Sequence, residues 1–373
     1  MYVRRTHARP SVRVPPDPRW GPVFLLAAAL LAAVACQRSA PPAAAPKPPP
    51  PELVVYDWAE GGFKSVADDF AREYGVKLHH ELFRSQEEAV AGLRAGKVCD
   101  VAIIESQFVR PLAEARLLAE IDYRSVPNFK NVFANFRDLS ADPGNRYSVP
   151  CSFGTTGLLL RRDLAKLPVT RWADLWSPRL AGKVAVRSQM RELIGLTLLA
   201  LGHSPNSEDP KHLQAVLGKL LQLKKTAVIA DEEPEKAVPL ITSGKVMVME
   251  GFPEDYRLAR QDSHSLEYVF PAEGVLLWSD NFVIPAAARN RPMAEAFINF
   301  MLRPEISARD ANGESYAVAN EAAHPLLKPE IRDDPSSYPP SDVLRRAHSF
   351  IALTPQGEKL YREVWSRFLD ESR

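Results

Sequence analysis

Four acidic or amide side chains and two aromatic rings recur at one kind of place in this sequence, directly after short β-branched runs. Trp58 follows ELVVYD (52–57), Glu105 follows CDVAII (99–104), and Gln189 and Glu192 follow KVAVR (183–187). Phe252 follows KVMVM (245–249), with Glu250 just before it. Carboxylates pair with ammonium groups, and aromatic faces attract cations by ~0.5–2 kcal/mol each. The same rings pack against methylene chains. The chemistry these types could do together is therefore recognition of a small organic cation. Any one of the rings reads equally well as a packing residue; the grouping carries the inference.

Bond-making chemistry finds less support. The sequence has no GxSxG elbow, P-loop, HExxH, or GxGxxG after a strand, so the usual nucleophile, phosphate and zinc devices are missing. No enzyme activity, cofactor or metal is expected. His79-His80-Glu81 sits in an expected strand, where neighbouring side chains face opposite ways, and reads as a solvated strand face. Asp231, Glu232, Glu233 and Glu235 precede a helical segment and complement its dipole; the functional alternative is a rim that draws cations in. Glu254 and Asp255 likewise start a helix after Pro253, or supply a counter-charge beside Phe252. Trp172 and Trp176, four apart in WADLW, read as packing.

The elements that must position these residues follow from the hydrophobic pattern. Beyond residue 52, short apolar runs alternate with amphipathic stretches, which predicts an α/β fold with largely parallel sheets. The strands are 52–57, 99–104, 183–187, 245–249 and 281–285. Helices are expected over Lys64 to Tyr74, after a Ser85 cap with Glu88 three residues on, and over Met190 to Leu201. Open α/β sheets place ligand crevices beyond the carboxyl ends of their strands, where the acidic and aromatic residues fall.

The chain has 373 residues and a formal charge of +1, long enough for two lobes of ordinary domain size. Five of its 47 basic and one of its 46 acidic residues lie in 1–36, leaving 42 against 45, a net −3. That balance excludes a nucleic-acid footprint. Arg4, Arg5, Arg9, Arg13 and Arg19 precede an apolar run from Val23 to Ala35 that stops at Cys36. Thirteen residues are too few to span a bilayer comfortably, so 1–36 reads as a secretory signal. The small residues before Cys36 resemble a bacterial lipobox, which implies lipidation of Cys36. Residues 37–51 are dominated by Pro and Ala and form an extended tether. Cys99 and Cys151 then remain, to be bridged or to be two buried thiols; no spacing rule decides.

Longer stretches resemble the periplasmic spermidine/putrescine-binding proteins of bacterial ABC importers. They are YDWAE (56–60), CDVAIIES (99–106), IDYRSVPNF (121–129), YSVPCSFGTTGLLL (147–160), VTRWADLWSPRLAGKV (169–184), Arg191-Glu192, PAEGVLLWSDNFVIP (271–285) and INFMLRPE (298–305). The resemblance covers about 52–371. It implies a two-lobed periplasmic-binding-protein fold with the ligand in a cleft between lobes joined by hinge strands. The implied lobes are 52–157 plus 281–326, and 158–280 plus 327–373.

The implied ligand-binding residues are Trp58, Glu60, Glu105, Gln189, Glu192, Phe252, Trp278, Asp280 and Tyr316. Phe252 stands where a tryptophan is usual and Gln189 replaces an aspartate. Gly61 replaces an aromatic residue, and Glu105 and Gln107 stand where serine and tyrosine are typical. These departures touch ligand identity and leave the fold alone. The expected protein is a lipid-anchored, monomeric receptor in the periplasm or cell envelope. It passes a polyamine or related cation to ABC permease subunits in the inner membrane. The alternatives are another solute, such as a thiamine-like cation, an amino-acid conjugate or ferric ion, or a polyamine-responsive sensor without transport.

Overall fold

A computed structural model describes residues 51–58, 63–139, 141–231, 233–262, 265–314 and 316–370. Cys36, the signal and tether expected over 1–51 apart from Pro51, and Glu60 lie outside the described residues.

The first apolar run forms β1 (Glu52–Trp58), parallel to both β2 (Lys77–Phe83) and β3 (Val101–Glu105). Between β1 and β2 the helix Lys64–Tyr74 ends at Gly75, whose left-handed φ of 62° suits a residue without Cβ. Ser85 accepts the Glu88 amide at 3.2 Å and caps the helix Gln86–Arg94. β3 starts two residues later than the pattern predicts. Asp100 is taken up as a staple, accepting amides from Val54, Arg289 and Asn290 at 2.8–2.9 Å.

The long β4 (Ser148–Arg161) does two jobs. Its first part pairs antiparallel with β9 (Leu276–Val283), and Gly157–Arg161 pairs with β7 (Val248–Gly251) and β8 (Leu266–Val269). β5 (Val184–Arg187) is parallel to β6 (Ala227–Ala230) and to β7. The principal order is β2-β1-β3-β9-β4-β7-β5-β6, with β10 (Ala317–Val318) on β4 and β11 (His348–Ser349) on β9. The expectation of largely parallel pairing holds within each half of the sheet. It fails where β4 and β9 cross between halves, because those strands run antiparallel to their neighbours.

Two boundaries shift for local reasons. β7 begins at Val248 because the Val246 amide still donates to Leu240 and closes the preceding helix, so Glu250 lies in the strand. The expected strand 281–285 is the tail of β9, which starts at Leu276.

Each half has its own core. One packs Leu53, Val101, Ile103, Phe153, Phe282 and Phe297; the other packs Leu158, Trp172, Val186, Ile194, Leu220 and Tyr361. Trp172 and Trp176 sit in a 3-10 turn and donate their indole N–H groups to Gly274 and Lys219 carbonyls. They are packing residues. Leu327, Ile331 and Tyr338 pack with Ala308 and Val318 before the chain reaches Phe350 in the second core. Cys99 is buried and Cys151 half-buried, and neither forms a disulfide.

Candidate functional site

Parallel strands deliver their carboxyl ends to one edge, and the residues beyond those ends meet in a cavity of about 720 Å³. Trp58 comes from β1, Glu105 from β3, Gln189 and Glu192 from the turn and helix after β5, and Phe252 from the end of β7. β9 contributes Trp278 and Asp280 from its middle, and Tyr316 lies just before β10. The eight expected ligand residues that are described all line this cavity. Gln107 lines it as well.

The aromatic walls are held by packing. Phe252 and Trp278 meet edge to face, with centroids 6.2 Å apart and planes at 89°, and Trp58 leans on Phe83 at 4.8 Å. Gly154 lies opposite Trp278 in the β4–β9 ladder, and a Cβ there would come within 2.2 Å of the indole ring. The Trp278 Nε1 is buried without a hydrogen-bond partner. Tyr316 donates its hydroxyl to Asp310 at 2.5 Å, which anchors the far end of the ring.

The acids are the unusual part. Glu105 and Asp280 stand directly opposite each other on β3 and β9. Glu105 accepts from the Gln107 amide at 2.6 Å, and Asp280 Oδ2 accepts from Ser152 at 3.3 Å. Asp280 Oδ1, Glu192 Oε2 and Glu250 Oε1 are buried without a hydrogen-bond partner. Burial pushes the Asp280 carboxyl up to about 7, against the opposing influence of Ser152 and Trp58. Burial, with repulsion from Glu250, pushes Glu192 up to about 8, while Thr156 and Arg191 pull it back. Burial and then the Asp280 charge raise Glu105 well above the usual range. Leaving the Asp280 and Glu192 oxygens unpaired on the cavity wall costs free energy that a donor in the cavity would recover.

Arg187 among the lining groups escaped the sequence reading, and so did its pairing with Asp255, which the sequence reads only as a helix start or a counter-charge beside Phe252. Arg187 and Asp255, both almost fully buried, form a bridge of 2.5 Å, and the guanidinium lies 5.1 Å over the Phe252 ring. Asp255 also accepts the Phe252 amide at 2.8 Å, so it anchors the end of β7 besides starting a helix. The only sequence signal was the basic residue ending KVAVR. Glu254, in contrast, lines the cavity with its carboxyl pushed to about 7 by burial. Cys151, Phe350, Leu353 and Trp365 close other sides, reached by the C-terminal segment through contacts no periodicity reports. Among the described residues no group of three or more His, Cys, Asp or Glu could hold a metal ion.

Residues 65–339 match the family described as bacterial extracellular solute-binding protein. The chain is 32% identical to spermidine/putrescine-binding periplasmic protein 1 of Haemophilus influenzae, over 79% of this chain and 82% of that one. It is 30% identical to the spermidine/putrescine-binding periplasmic protein of Escherichia coli, over 79% and 84%. A putative spermidine/putrescine ABC transporter from Listeria monocytogenes superposes with a TM-score of 0.80 at 31% identity, covering 86% of this chain and 99% of that one. The two-lobed α/β fold read from the sequence is the fold these comparisons show.

Proposed function

The chain belongs to the bacterial extracellular solute-binding proteins, and from that premise we propose that it is the receptor of an ABC importer for a short polyamine. The observation that carries this reading is the pairing of unsatisfied acids with ring faces. Asp280 and Glu192 each line the cavity and keep a buried carboxylate oxygen without a hydrogen-bond partner, beside Trp58, Phe252 and Trp278. A ligand with positive charges at intervals along a methylene chain answers both features: ammonium groups pair the acids, and the chain lies on the rings. Asp280 with Glu105, and Glu192, anchor the positive ends. Trp58, Phe252, Trp278 and Tyr316 form the box, with Gln189 and Glu60 as further contacts.

The lobes are, but for one segment, 52–157 with 281–326 and 158–280 with 327–373, supported by the two cores and by the crossing of β4 and β9. Leu327 and Ile331 pack with Ala308 and Val318, and Tyr338 against the first core, so 327–338 goes with the first lobe and only the chain beyond it with the second. Ligand stabilises the closed form because only there do both lobes touch it, and the permease reads that form. Secretion through 1–36, a lipid on Cys36 and the tether 37–51 would keep a monomeric receptor at the membrane. No helix among the described residues is long and apolar enough to cross it.

The test is a thermal-shift screen with putrescine, cadaverine, spermidine, thiamine, basic amino acids and ferric salts, followed by calorimetry. A ligand at 100 times its dissociation constant adds about 2.7 kcal/mol of stability. Stabilisation by a di- or triamine supports the reading. Silence from every amine with a response to another solute replaces the ligand and keeps the receptor.

A further inference from the structure

We propose that Glu105 and Asp280 act as one two-carboxylate seat that takes a single primary ammonium end of the ligand, making Glu105 a specificity-determining residue. The inference rests on the amine reading of the cleft and deepens it.

The geometry comes from the sheet. β3 and β9 are adjacent and antiparallel, and Glu105 faces Asp280 directly in the ladder. Residues so placed project from the same face with Cβ atoms about 4.5–5.5 Å apart, and like charges there repel. Both line the cavity, and among the described residues neither has a salt-bridge partner. Among the described residues the groups that hydrogen-bond the two carboxyls are neutral: Gln107 on Glu105, and Ser152 and Trp58 on Asp280. Like acids placed face to face in a buried site, with one oxygen left over on Asp280, are complete only when a cation lies between them.

The class of cation follows from donor counting. A primary ammonium carries three N–H donors on one small centre, enough to reach both carboxylates and still meet a ring face. A quaternary ammonium has none, and an acylated nitrogen has lost its charge. The seat therefore selects free primary amine ends over methylated or acylated ones, and over ring cations of the thiamine kind.

A proton balance accompanies seating. The acid pair sees Glu87 from the helix Gln86–Arg94, and Glu192 and Arg191 from the helix Met190–Ala200. Cys151 and Ser152 of β4 and Asp57 and Trp58 of β1 lie on its other sides. With acids outnumbering Arg191, the empty pair retains a proton near neutral pH, shared between the two carboxyls. The incoming ammonium keeps its own three protons, and the carboxyl proton leaves to solvent.

The experiment is calorimetry of putrescine binding to the purified protein in two buffers of different ionisation enthalpy near pH 6.5. Wild type is compared with Glu105→Gln and Asp280→Asn, and putrescine with its bis-trimethylammonium analogue. Wild type should release a substantial fraction of a proton and prefer putrescine at least a hundredfold. Glu105→Gln should bind putrescine at least tenfold more weakly, release fewer protons than wild type because only the share of Glu192 remains, and narrow the preference. Wild-type behaviour of Glu105→Gln on all three readouts overturns the seat while leaving the amine receptor standing. Binding of no amine by wild type overturns both. Asp280→Asn breaks the pair from the other strand and must also lower the proton release to the share of Glu192, which keeps the test decisive if Glu105→Gln fails to fold.

Discussion

Two charge clusters, one buried and one half-buried against the cavity, lie in the same cleft and are built in opposite ways. At one, Arg187 and Asp255 close on each other at 2.5 Å, the guanidinium covers the Phe252 ring, and Asp255 also takes a backbone amide. At the other, two acids, Glu105 and Asp280, face each other with neutral donors around them. The first cluster is complete within the protein and serves the shape of the cleft. The second is incomplete and serves something that arrives. A buried charge thus marks a binding site when its partner is missing, and a scaffold when its partner is present.

The sharpest way to break this contrast is to swap the consequences. Replacing Arg187 by Met strands Asp255 and removes a charge that also lowers the Glu250 carboxyl. It should cost about 3–5 kcal/mol of stability by chemical denaturation. Replacing Asp280 by Asn should do the reverse. Binding falls by about a hundredfold, in line with ~2–5 kcal/mol for losing a buried charged partner, while the empty protein becomes no less stable at pH 8. Equal destabilisation by both variants would erase the distinction between scaffold and site.

The pH dependence sharpens it further. Glu192 is raised from 4.5 to about 8 and Asp280 from 3.8 to about 7. The folded empty protein therefore holds protons that the unfolded chain has released. Its stability should fall as pH rises from about 4.5 through 8, and Glu192→Gln should flatten that slope in melts taken across the range. A slope of the other sign would mean these acids are already paired. The smallest effect belongs to the rings: Phe252→Leu should weaken amine binding by only about two- to fivefold, on the order of 0.5–1 kcal/mol, measured by calorimetry.

Much of the site was legible because strand ends are legible. Parallel strands place Trp58, Glu105, Glu192 and Phe252 on one edge without any knowledge of loop paths. Lys64 to Tyr74 was readable to the residue because an amphipathic stripe ends at a glycine. Trp278 and Asp280 were different. They lie inside β9, a crossing strand whose inward and outward faces change as it passes between halves, and only the resemblance pointed to them. The Arg187–Asp255 bridge joins residues 68 apart, and periodicity holds no record of such a meeting. The late start of β7 depended on Val246 closing the preceding helix, a tertiary detail that placed Glu250 inside the strand.

Gly154 sets a limit on how this receptor can diverge. Every missense change of a glycine codon introduces a Cβ, and here that atom would fall 2.2 Å from the Trp278 ring. No graded series of variants leads away from this position; each evicts the indole in one step. Inheritance can thus tune ligand preference at Glu105, Gln189 or Phe252, whose side chains line the cavity. The floor under Trp278 stays fixed for as long as the lineage needs a ring there.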